Sequence, residues 1–155
     1  MKRALFILTL LIVACTACNA QVCIKSRQLD GTTWKVIWKD KWVEKRWVFS
    51  SKELKETVYL HKISKSYKHT YAYYLTPTNS EPFLHKKAGT STSGKFLYLY
   101  DKTKKERKEL IIESFDQEKG LMTVRYIAQP MKKGTGPYYG SGEPVIYTLK
   151  RMSNK

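Results

Sequence analysis

From residue 29 to residue 152 the chain alternates hydrophobic and polar positions with a period of two, broken at short intervals by turn residues. Residues 33–39 set Trp34, Val36 and Trp38 against Lys35, Ile37 and Lys39, and Asp40-Lys41 follows as a tight turn. Residues 42–49 return, with Val43, Trp47 and Phe49 on one face. A polar connection leads to a third strand at 56–63. A fourth at 67–76 has Tyr67, His69, Tyr71, Tyr73 and Leu75 on one face. After a turn cluster at 77–82 and a pattern-poor loop at 83–94, residues 95–100 place Phe96, Tyr98 and Tyr100 opposite Leu97 and Leu99. The charged stretch 101–108 reads as a hairpin tip. Residues 109–115 and 121–129 then form a hairpin, and a glycine-rich loop at 130–144 precedes the last strand, 145–151.

This pattern predicts about eight strands joined mostly by hairpins, with no helix long enough for a parallel crossover. The fold class is therefore all-β: an eight-stranded antiparallel up-and-down barrel, which removes sheet edges, with a two-sheet β-sandwich as the alternative. A chain of 155 residues is one domain's worth, and aromatic residues at 13% suit strands.

The first twenty residues break the pattern. Met1-Lys2-Arg3 is a short basic start, and residues 4–14 form an uncharged apolar run of eleven. That run is too short to span a bilayer and reads as the core of an export signal over residues 1–20, followed by a short linker at 21–28 and the domain at 29–152. Ile12-Val13-Ala14-Cys15 has the form of a lipoprotein cleavage site, with Thr16-Ala17-Cys18 a poorer one. Cys18-Asn19-Ala20 before Gln21 fits an ordinary signal peptidase. Lipidation at Cys15 or Cys18 would hold the protein on a membrane face without spanning it. Cleavage at Cys15 leaves Cys18 and Cys23 able to pair in an oxidising compartment.

Lys and Arg outnumber Asp and Glu, 29 to 13. Removing Lys2 and Arg3 with the leader takes the formal +16 to +14. A field of that sign calls for an anionic partner. Export would exclude nucleic acid and leave phosphorylated lipid headgroups, lipopolysaccharide and acidic glycans or proteins of a cell envelope. The expected location is periplasmic, or lipid-anchored to a bacterial envelope membrane. Lysines gather at hairpin ends, at 41–46, 62–68, 102–108 and 132–133. Tips that share one rim would make a cationic mouth.

Residues 29–35 (LDGTTWK), opening the first strand after an export signal, resemble the start of lipocalin-like domains, as do the 109–128 hairpin and the closing strand 145–151. The likeness is to small exported bacterial lipocalin-like proteins and covers nearly all of the chain after the leader. It implies a ligand-holding barrel with Gly31, Trp34 and Arg151 as structural positions, Trp34 plugging the closed end. Arg125 is the other candidate for the arginine that packs over Trp34. The family's usual Gly-x-Trp is here Gly31 and Trp34 with two residues between, and the chain ends four residues after Arg151.

No nucleophile elbow, phosphate loop or zinc motif is present, so no catalytic residue, cofactor or metal is expected. A three-residue loop at 64–66 would place His61 opposite His69, close enough for two imidazoles to share a metal but without a third ligand. The inward positions Tyr71, Tyr73, Phe96, Tyr98, Tyr126 and Tyr147, with His69, form a tyrosine-rich candidate pocket. Each buried hydroxyl needs a partner, so such a lining suits a small amphiphile more than a purely structural core. The reading is a binding protein without catalysis. A cationic module for an envelope polyanion is the alternative, and an enzyme dependent on His69 is a distant third.

Overall fold

The computed structural model describes residues 22–37, 41–79, 82–127 and 145–153. Among these residues ten strands and one short α-helix follow in order: β1 (Ile24–Lys25), α1 (Ser26–Leu29), β2 (Thr33–Val36), β3 (Val43–Phe49), β4 (Glu53–Leu60), β5 (Lys65–Thr76), β6 (Ser93–Gly94), β7 (Phe96–Asp101), β8 (Glu106–Asp116), β9 (Leu121–Ile127) and β10 (Ile146–Arg151). Eight of them close an antiparallel barrel in the order β10-β2-β3-β4-β5-β7-β8-β9, and β1 pairs with β6 in a small separate sheet. The expected barrel is therefore present, and the sandwich is not.

Alternation sets the faces. Trp34, Val36, Trp47, Phe49, Leu54, Tyr71, Tyr73, Leu75, Leu97, Leu99, Leu110, Ile112, Met122, Val124 and Leu149 point inward and form one buried core with Ile24 and Leu29. Each such side chain contributes roughly 1.5–3 kcal/mol through burial. One end is closed by the α1 segment, which alternation did not reveal. Leu29 is fully buried there, and Gly31, left-handed at φ 68°, turns the chain into β2 while its N–H donates to Phe49 O at 3.0 Å. Trp34 fills this end, with its Nε1–H on Thr32 Oγ1 at 2.8 Å and its ring 6.0 Å from Phe115. Arg151 stands opposite Trp34 in the β10–β2 ladder, whereas Arg125 pairs with Glu113 at 2.6 Å.

Two details depart from expectation. The β4–β5 connection is a 3-10 turn at His61–Ile63 followed by Ser64 at φ 51°, so Leu60 pairs with Lys65 and Glu56 with His69. His61 therefore does not face His69. Phe96 and Tyr98 point out of the barrel, because Thr76 pairs with Phe96, Tyr74 with Tyr98 and Tyr73 with Leu99. They join Tyr74 in a second cluster under Phe83 and Leu84, where the connection after β5 folds over the barrel wall. Both faces of β7 are buried, so its alternation could not show which side was the interior.

Residues 1–21, with the leader and Cys15, lie outside the described residues, as do Lys132 and Lys133. Cys23 is exposed. Among the described residues, no helix is long and apolar enough to cross a membrane.

Candidate functional site

The half of the barrel away from α1 is lined differently. Lys45 lies two residues before Trp47 on the inward face of β3, Glu56 two after Leu54 on β4, and Lys108 two before Leu110 on β8. These charges meet Tyr71 from β5 in one chain of contacts. Lys45 Nζ lies 3.1 Å from Glu56 Oε2, and Trp47 Nε1–H donates to the same oxygen at 2.8 Å. Tyr71 Oη–H donates to Glu56 Oε1 at 3.3 Å and accepts from Lys108 Nζ at 2.7 Å. The Lys45 and Glu56 side chains are only 14% and 9% exposed. Trp47, Leu99, Leu110, Tyr126 and Tyr147 complete the walls, and the Lys45 ammonium sits 4.7 Å from the centre of the Tyr147 ring.

The protonation states follow from these neighbours. Burial works against a charge on Glu56, but Lys45, the Trp47 N–H and Lys108 outweigh it and hold its carboxyl below the ordinary value. Burial, with Glu56 opposing it and Lys45 and Lys104 adding to it, holds the Lys108 ammonium below the ordinary lysine value. Burial, then the carboxylates of Glu56 and Asp101, keep the Tyr71 phenol protonated far above the ordinary tyrosine range.

The cavity between these groups is about 50 Å³. A single water needs only about 10–15 Å³ measured this way, whereas drug-sized ligands occupy about 300–1,000 Å³. An eight-stranded barrel is just wide enough for side chains to fill, and here the aromatic residues nearly fill it. The space accepts a small polar group and not a whole amphiphile.

Of the residues expected to line a pocket, Tyr71, Tyr126 and Tyr147 line this cavity. Tyr73 is inward but lower. Its Oη–H donates to Ser50 O at 2.9 Å, and burial, with Asp30, pushes its phenol up to about 12. His69 is at the rim, its Nδ1 3.6 Å from Asp101 Oδ2 and its ring stacked on Tyr71. Asp101 is occupied with its own turn, accepting the N–H groups of Thr103 and Lys104 at 2.9 and 3.1 Å. Burial disfavours its charge, but those amides and His69 more than offset this and hold its carboxyl low. Phe96 and Tyr98 belong to the outer cluster. Among the described residues no group of three His, Cys, Asp or Glu side chains is placed to hold a metal ion.

Lys45, Glu56 and Lys108 were missed by reading aromatic residues alone. The signal was in the alternation: residue 45 falls between Val43 and Trp47 on the face that must be inward.

Three of the four lysine-bearing tips share a rim, the fourth lying outside the described residues. The β2–β3, β4–β5 and β7–β8 turns lie at the end away from α1, because strands alternate in direction around the barrel. They bring Lys41, Lys62, Lys65, Lys102, Lys104 and Lys105 around the mouth. No family model, no curated protein and no solved structure matches this chain.

Proposed function

We propose that the chain is an exported binding protein of lipocalin-like kind that catalyses nothing and holds the acidic headgroup of a small amphiphile at the mouth of its barrel. The observation that supports this is the pair of lysine ammonium groups, Lys45 and Lys108, turned into the barrel around one carboxylate, Glu56. Two cations against one anion leave this layer one positive charge in excess. In a site shielded from water that excess favours a carboxylate or phosphate group. The 50 Å³ cavity takes such a group, and the apolar remainder would lie above it along Tyr126 and Tyr147. The lysine tips would draw acids to the opening.

Titration calorimetry with decanoate and with decanol tests this. The acid should bind at least about tenfold more tightly, and Lys108→Met should remove that preference while the Lys45–Glu56 pair stays in place. Because burial disfavours the Lys108 charge, the variant should unfold at the same temperature or higher, so lost binding would not mean lost fold. Equal affinity for acid and alcohol, or an unchanged preference in the variant, would overturn the reading.

A further inference from the structure

Three strands rise above the rest of the rim. The β5–β7 ladder ends at Tyr71 and Asp101, whereas β5 continues to Lys65, paired on β4 alone. The ribbon is tied at its end, where the His61 N–H donates to Trp42 O at 2.8 Å, so the start of β3 and the β4–β5 turn form one tip. This tip exposes apolar side chains: Trp42 is 49% exposed and Ile63 54%. Lys41, Lys62 and Lys65 flank them in sequence and register, and among the described residues none of the three forms an ion pair. Glu44, the nearest carboxylate along β3, is already held by Lys35 and Arg46.

We propose that this tip docks on an anionic lipid surface, with Trp42 and Ile63 entering the headgroup layer while Lys41, Lys62 and Lys65 meet its phosphates. A lipid interface offers phosphate and apolar chain boundary at nearly the same depth. Aromatic rings settle there, and lysine stems lie along apolar material with the ammonium in the headgroups. A soluble polyanion would use the lysines and leave the ring and the isoleucine in water. The inference does not depend on what the barrel interior holds.

The test uses the full chain and vesicles whose acyl chains carry bromine, a short-range quencher of tryptophan fluorescence. Trp38 is replaced by phenylalanine (Trp38→Phe) in parent and variants alike, residues 1–21 contain no tryptophan, and Trp34 and Trp47 are buried in the core, so Trp42 is the reporter. Vesicles of mixed phosphatidylglycerol and phosphatidylcholine should quench, pure phosphatidylcholine much less, and the quenching should fall away in Trp42→Phe. Lys62→Glu with Lys65→Glu should weaken partitioning into the anionic vesicles at least about tenfold, and Ile63→Ser should weaken it in both salt and low salt. All these positions are exposed, and the amino-terminal segment is common to parent and variants, so any difference belongs to the tip. Equal quenching by neutral vesicles, or partitioning unmoved by the lysine and isoleucine variants, would overturn the proposal. So would a lysine-dependent affinity for heparin fragments with no quenching in any vesicle, which would make the partner a soluble polyanion.

Discussion

Glu56 sits where a carboxylate is costly unless other groups answer its charge, and it meets Lys45, the Trp47 N–H and the Tyr71 hydroxyl at once. Glu56→Gln keeps the shape and the Trp47 contact but leaves both lysines facing a neutral group. It should cost about 2–4 kcal/mol at neutral pH, measured by urea unfolding. The folded protein holds this carboxyl below its ordinary value of 4.5, so the unfolded chain takes up the proton first as the pH falls. The stability it contributes is therefore complete above 4.5 and lost as the pH drops through the folded value. The variant should show a shallower acid limb, though not a flat one, because Asp101 is also held low. An acid limb identical to the parent's would remove Glu56 from this account. At this scale the sequence was half legible. Inward tyrosines on β5, β9 and β10 follow from alternation, whereas Phe96 and Tyr98 do not, because the partners of both faces of β7 are set only by its register with β5.

The elements follow the hydrophobic period closely, and the misreadings fall at turns. A three-residue β4–β5 loop was a reasonable expectation from Ser64-Lys65-Ser66, but the register depends on Ser64 adopting a left-handed conformation without being glycine. The four-residue α1 is too short to show a helical period and is held by its surroundings, with the Ser26 N–H on Thr92 O at 2.8 Å. That docking relies on β6. Gly94 has φ 151°, and a Cβ there would lie 2.0 Å from the Thr76 carbonyl carbon. Gly94→Ala must push β6 off the end of β5, and with it the β1 pairing. The expected loss is about 2–4 kcal/mol, or a fall in melting temperature on the order of 10 °C by calorimetry. A melting temperature within a degree of the parent's would show that this end yields without cost.

For the whole molecule, the number of strands and the run of hairpins were enough to predict a closed barrel, since consecutive antiparallel neighbours leave one seam to join. That seam is narrow. Three residue pairs are in register between β10 and β2, and three between β2 and β3, against eight between β4 and β5. Local opening should begin there, so hydrogen exchange should deuterate the amides of Val36 and Ile37 well before those of Tyr73 and Leu99. Uniform protection around the barrel would count against this. The exposed tip could not be read in advance, because it depends on how far β5 outruns β7. The two ends of the barrel also differ in what they connect to. Ile24 is buried at the α1 end with Val22 packed against the same core, and the lysine-bearing mouth faces the other way. A twelve-residue strand inclined as barrel strands are puts those ends about 30 Å apart. A molecule tethered by its amino-terminal side would thus turn its mouth away from the surface holding it. It would work as a spacer, reaching across a gap to whatever second surface comes within its own height.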